Sequence, residues 1–162
     1  MISKKMADAL NGQIHWEMYS AYVYLAMSAN SDTLGLKGCA NWFMAQYREE
    51  MEHAMKIYDY LLEQGAEIEL MAIDQPQKSY PSALAMFETA LEHEKDVTRR
   101  IHKLVDQAIT EKDHATQIIL QWFVTEQVEE EANVSEIIGK MKMVGDKGNG
   151  LFMIDRELAN RE

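Results

Sequence analysis

One cysteine, two prolines and eight glycines are all that the 162 residues contain of the types that cross-link, break or loosen a chain. With Cys39 alone there is no internal disulfide, no cysteine-based zinc site and no rubredoxin-like iron site. Cys39 itself reads as a small residue packed in a helix. So little proline and glycine permits long uninterrupted helices. No stretch approaches the roughly 18 apolar residues of a membrane span. The opening residues, Met1 to Met6, run into an amphipathic pattern and not an apolar signal core, so the expected address is the cytoplasm. Positive charge is also scarce, with 16 Lys and Arg against 27 acids and a net charge of -11. That balance argues against nucleic acid or an anionic membrane as partner, since both need a positive surface. It suits a cation as cargo.

What the sequence does have is 47% hydrophobic residues, enough for a substantial core in one ordinary domain spanning 1–162. They recur at spacings of three and four almost throughout, which is the helical period. Breaks fall at Ser31 to Gly35, at Gly65 to Ser82 (which holds Pro76 and Pro81), at Thr110 to Asp113 and at Gly145 to Gly150. The spacing therefore predicts helices over 3–31, 36–64, 83–111 and 114–144, with a short fifth over 151–160. Gly65 suits a position just past a helix end, and Ser82 and Asp113 suit N-caps. Four long helices of similar length predict an all-α four-helix bundle. The short breaks close antiparallel hairpins. The break from Gly65 to Ser82, at about 3.3 Å per residue, reaches farther than a helix of that bundle is long at about 1.5 Å per residue. It can carry the chain back along the whole bundle and set the third helix parallel to the second, the single long crossover of ferritin-like bundles.

An acid interrupts every apolar stripe when the helices are drawn as wheels at about 100° per residue. Glu17 sits among Met6, Leu10, Ile14, Ala21 and Tyr24. Glu50 interrupts Phe43, Tyr47, Ala54, Ile57 and Leu61, with His53 at the edge. Glu94 lies among Phe87, Leu91, Ile101 and Val105, and Glu126, Gln127 and Glu130 lie among Ile119, Phe123, Val134 and Ile137. Glu17, Glu50, Glu94 and Glu130 are each near the middle of their own helix, so they share one layer. One such acid would usually be a solvated residue on a misdrawn face. Four at one level are different: an unpaired buried carboxylate costs several kcal/mol, and neighbouring ones repel. No Lys or Arg lies on the stripes beside them, so a bound divalent or trivalent metal ion is the direct solution. Glu50-Met51-Glu52-His53 places a carboxylate and an imidazole on adjacent turns of one face. Oxygen-rich donors with one imidazole favour iron or manganese over copper, and lack the thiolates of structural zinc. The arrangement is already familiar from di-iron carboxylate bundles.

At these residues the chain resembles the bacterial and archaeal non-haem ferritins over nearly its full length. The matching segments are His15-Trp16-Glu17-Met18-Tyr19 with Tyr24, Tyr47-Arg48-Glu49-Glu50-Met51-Glu52-His53, Glu92-His93-Glu94, and Gln121 through Glu131. The resemblance implies an iron-storage protein with ferroxidase activity, oxidising Fe(II) with O2 or H2O2 at a di-iron centre. By matching position, Glu17, Glu50 and His53 look like the ligands of a first iron, with Glu50 bridging. Glu94 and Glu130 look like the terminal ligands of the second, and Gln127 like a hydrogen-bonding neighbour. Glu49, Glu126 and Glu129, with Glu130 shared, match a third iron site. Tyr24 resembles the tyrosine beside the centre. Trp122 is near it too, as a redox participant or as a packed aromatic. The family implies a homo-oligomeric shell of 24 subunits, with the fifth helix (Leu151, Phe152, Ile154 and Leu158 on it) near a symmetry axis.

Three other readings compete. Bacterioferritin binds haem through a methionine at the position of Met51, but has Glu and His where this chain has Gln127 and Glu130, so no haem is expected. A di-iron oxidase or peroxidase without storage would use the same bundle, although many carry a second Glu-x-x-His or an extra domain. A helical interaction module explains the periodicity and leaves the central acids unexplained. His15, His93, His102 and His114 fall off the acidic stripes and read as surface or packing residues.

Overall fold

A computed structural model describes residues 1–145 and 147–161. Among the described residues there are five helices and no strand: α1 (Lys4–Thr33), α2 (Lys37–Glu63), α3 (Ala83–Thr110), α4 (His114–Val144) and α5 (Gly148–Leu158). The four long ones lie within about two residues of the spans read from the hydrophobic period. Their ends follow from local chemistry. Ser82 Oγ accepts from the Ala85 N–H, and the Asp113 carboxylate accepts from the Thr116 N–H, so both act as the N-caps expected of them. Ser3 does the same for α1 through the Met6 N–H. Gly65 has φ +69°, and the Gly65 and Ala66 N–H groups return to the Leu62 and Leu61 carbonyls, closing α2 in a Schellman turn.

α1 packs on α2 and α3 on α4 as hairpins. The long connection after α2 runs beside α1 and is tied to it in order along the chain. Asn11 donates to the Glu67 carbonyl and accepts from the Glu69 N–H, and His15 Nε2 sits 2.9 Å from the Ala72 carbonyl oxygen. Farther along, Gln75 to Ser79 face Tyr22 to Thr33. The chain thus returns to the end where α2 began, and α3 runs parallel to α2, as the length of the break predicts.

The fifth helix begins earlier than the sequence indicates, at Gly148 instead of 151. Glycines there signalled a loop, but at Gly150 the reason for glycine is contact. A Cβ at that position would lie 2.1 Å from the Val144 carbonyl oxygen. The start of α2 and the end of α4 seat α5. Gly38 lets its backbone close on the α5 backbone, where a Cβ would meet the Asp155 carbonyl oxygen at 1.6 Å. The Cys39 N–H donates to Asp155 Oδ1 at 2.8 Å, and Asn41 Nδ2 reaches the Leu158, Ala159 and Arg161 carbonyls past the helix end. Ile154 and Leu158 are buried against the chain's own bundle, while Phe152 and Met153 point outward. Of the four residues expected to pack near a symmetry axis, Ile154 and Leu158 are therefore used within the subunit. Cys39 is fully buried, and burial followed by the nearby Asp155 carboxylate pushes its thiol pKa up, which keeps it unreactive.

The core is two apolar masses and not one. The first gathers Tyr24, Met27, Phe43, Phe87, Val134 and Met141 with α5, and the second gathers Met6, Leu10, Ile57, Leu61, Ile101 and Phe123. Between them lies a polar layer.

Candidate metal centre

That layer is built from Glu17, Glu50, His53, Glu94, Gln127 and Glu130, none more than 3% exposed. All four long helices contribute, which is what central acids in each stripe require. Glu17, Glu50 and His53 form one fully buried group, each offering one ligand atom within 4.8 Å of the others. Glu17 Oε2, both Glu50 oxygens and His53 Nδ1 are buried and have no hydrogen-bond partner among the described residues. The His53 Nδ1 to Glu50 Oε2 separation is 3.6 Å, beyond hydrogen-bonding range. Leaving one such atom unpaired costs about 1–3 kcal/mol, and more if it is charged, so four converging atoms describe a receptor for a cation.

Glu17, Glu94 and Glu130 each accept from a neutral donor. Gln13 Nε2 donates to Glu17 Oε1 at 2.7 Å, one turn along α1, which fixes the carboxylate with its other oxygen free. Glu94 accepts from the Tyr24 hydroxyl on one oxygen and from Gln127 Nε2, at 3.1 Å, on the other. Gln127 also donates to the Glu94 carbonyl, a two-point grip consistent with the hydrogen-bonding role implied for it. Glu130 Oε2 accepts from Gln46 Nε2 at 2.6 Å. The pair expected at a second metal, Glu94 and Glu130, does not form a three-ligand group with Glu50 here; the second group is His53, Glu126 and Glu130. Of the acids expected at a third metal, Glu126 therefore meets Glu130, Glu129 points to solvent, and Glu49 is turned toward Arg161.

Gln13, Gln46 and Arg161 are the site residues that sequence reading missed. The two amides had a signal: each lies four residues before a central acid, on the same buried face. Arg161 had none, since the path of the chain after α5 is set by packing.

Aromatic rings surround the layer. His53 meets the Trp122 ring edge-on at 5.3 Å between centroids, and the Lys56 ammonium lies 4.3 Å from the Trp122 centroid. His93 stacks on Trp16 and touches the edge of Tyr24, and His102 and His114 are exposed, so the histidines outside the centre are packing or surface residues as expected. Met51 lines a shallow apolar groove with Met18, Tyr22, Leu25 and Ile73.

The electrostatics follow from crowding acids in a dry layer. Burial, then the Glu94 and Glu17 carboxylates, push Glu50 well above the usual carboxylate range. Burial lifts Glu94 to about 7, opposed by the hydrogen bonds from Tyr24 and Gln127. Burial and Glu94 lift Glu130 to about 8, opposed by Gln46. Because these folded-state values exceed the ordinary 4.5, metal-free protein should gain stability from them at acid pH and lose it as pH rises through about 7 to 8. A cation entering the layer must displace the same protons. Calorimetry with Zn(II), a redox-inert probe, should therefore count more protons released per ion at about pH 6 than at about pH 9. A proton count that does not change over that range would show that these carboxyls are not the ligands.

A helical bundle with one long crossover and a buried layer of carboxylates and imidazole is a metal-binding protein of the ferritin-like class. A family model described as the ferritin-like domain matches residues 7–144, and the chain belongs to the ferritin family. It is similar to a bacterial non-heme ferritin of Campylobacter jejuni, 41% identical over 160 residues, covering 99% of this chain and 96% of the relative. It is also similar to one of Staphylococcus saprophyticus, 42% identical over 161 residues, with 99% and 96% covered. Among solved structures, an open pore ferritin from the hyperthermophilic archaeon Archaeoglobus fulgidus superposes with a TM-score of 0.98, at 48% identity and with both chains fully covered. The resemblance to bacterial and archaeal non-haem ferritins therefore holds over the whole length.

Proposed function

We propose that the central layer is a di-iron ferroxidase centre and that iron is its substrate. The protein is an iron-storage ferritin with ferroxidase activity. The observation that carries the site assignment is the convergence of partnerless buried atoms on Glu17, Glu50 and His53. In this reading those residues hold the first Fe(II). Glu50 bridges to a second, which Glu94 and Glu130 complete once they exchange their neutral donors for the ion. Flexible carboxylates suit both tasks, because anionic oxygen favours Fe(III) yet does not cage it as a rigid all-imidazole site would. Two Fe(II) give two electrons to O2, which takes two protons to become H2O2, or to H2O2, which with two protons becomes two waters. Tyr24, bonded to Glu94, and Gln127 orient the second site's carboxylate. Glu126, Glu129 and Glu49, with Glu130, take a third iron on its way out. Fe(III) then hydrolyses to an oxyhydroxide mineral, giving up protons.

Storage needs an enclosure, and the family membership supports a shell of 24 copies of this chain in the cytoplasm. None of the helices in the described residues is long and apolar enough to cross a membrane. Iron titration tests the function. Aerobic uptake should continue far beyond three irons per chain, with the iron retained in solution inside a large particle. Uptake that stops at two irons per chain would make the protein a di-iron oxidase instead.

A further inference from the structure

The chain beyond α5 comes back to the metal layer. Arg161 Nη2 lies 2.5 Å from Glu49 Oε2, and Arg161 Nη1 donates to Gln46 Oε1 at 2.9 Å. The guanidinium carbon sits 4.5 Å from the Trp42 ring centroid, and Nη1 also approaches the Trp42 carbonyl. Gln46 is fully buried and spends its other end on Glu130. The connected path is Glu49, Arg161, Gln46, Glu130: an outer acid, a cation, an amide and an inner acid.

We propose that Arg161 is a displaceable counter-ion and positioning residue that competes with a metal cation for Glu49 and, through Gln46, holds Glu130. The inference rests on the reading of Glu49 as a ligand of the outer iron.

Three features make the arm a competitor and not a fixed strut. First, the amide of Gln46 has a direction. Its oxygen faces the guanidinium and its NH2 faces Glu130; turned over, the oxygen would oppose the carboxylate and the NH2 would oppose a cation. Arg161 therefore fixes the donor that occupies Glu130 Oε2. Secondly, the pair is open to exchange. The Glu49 side chain is 38% exposed and that of Arg161 21%, the regime in which ion pairs are weak and easily replaced. Thirdly, α5 does not depend on the Arg161 side chain for its seat, because the Gly38 approach to Asp155, the Cys39 N–H on Asp155 and the buried Ile154 and Leu158 hold it upstream. The guanidinium can leave without the helix leaving. A cation arriving at Glu49 then frees Gln46, and Gln46 frees Glu130. Occupancy of the outer site is in this way coupled to the mobility of an inner ligand.

Zn(II) binding to the assembled, metal-free protein tests this with no turnover involved. Isothermal titration should resolve a weakest class of ion that Glu49→Gln removes. Arg161→Gln should tighten that class roughly twofold to fivefold, the scale set by losing one partly exposed ion-pair competitor. Arg161→Lys, which keeps the charge and loses the fork to Gln46, should fall between. If Glu49→Gln removes the weakest ion but Arg161→Gln leaves its affinity unchanged or weaker, the competition is wrong and the outer site stands. If Glu49→Gln removes nothing, the outer site falls and this inference with it. Hydrogen exchange over Gly148 to Leu158 should stay slow in both arginine variants. Tightening seen only where α5 exchanges freely would mean undocking, and would overturn the proposal.

Discussion

Glu50→Ala is expected to lower the rate of rapid Fe(II) oxidation by far more than the ~10–100-fold typical of losing a residue behind a ligand. Glu50 is the only residue assigned to both irons, and both its oxygens are buried without a partner. The fold should survive. Removing a carboxylate that crowds Glu17, Glu94 and Glu130 relieves repulsion in metal-free protein, so thermal unfolding should occur at the same temperature or higher. Stopped-flow absorbance on Fe(II) addition, beside size-exclusion chromatography, measures both. A variant that oxidises iron at the wild-type rate would place the chemistry elsewhere.

Gly38→Ala should detach α5. Its new methyl would occupy space now held by the Asp155 carbonyl, at a separation that no side-chain adjustment relieves because both partners are backbone. Overpacking of this kind costs on the order of 1–3 kcal/mol where the structure can yield, and here the yielding element is an 11-residue helix with two buried side chains. The four long helices should therefore keep their protection in hydrogen-exchange mass spectrometry while Gly148 to Leu158 loses it. Slow exchange in α5 of the variant would mean that the close approach is not what seats it.

These expectations rest on features of unequal legibility in the sequence. The four long helices and the crossover were readable because periodicity, Gly65, Ser82 and Asp113 all point the same way, and local signals suffice for each. The acid layer was readable because a carboxylate inside an apolar stripe is a conflict that only a cation resolves. α5 was legible only in part. Gly148 and Gly150 look like loop residues; Gly148 has φ +59°, and only three-dimensional contact with Val144 explains glycine at 150 inside the helix. The wiring of the layer was mostly hidden. Nothing local joins Gln46 on α2 to Glu130 on α4, or Arg161 to Glu49, because those partners lie 84 and 112 residues apart in the chain. The expected second and third ligand sets also look different in side-chain detail. Glu94, Glu130 and Glu49 each have a protein donor, and a wheel diagram shows which face a residue occupies but not what it bonds.

Iron is expected to bind in the polar layer between the two apolar masses. Anomalous diffraction at the iron edge, on crystals soaked in Fe(II) under anaerobic conditions, measures this directly. Two peaks are expected in every subunit, one within ligand distance of Glu17, Glu50 and His53 and the other of Glu50, Glu94 and Glu130. At higher loading a third should appear beside Glu126, with Arg161 withdrawn from Glu49. Iron peaks confined to the subunit surface, with none between Glu17 and Glu130 at any loading, would contradict that placement.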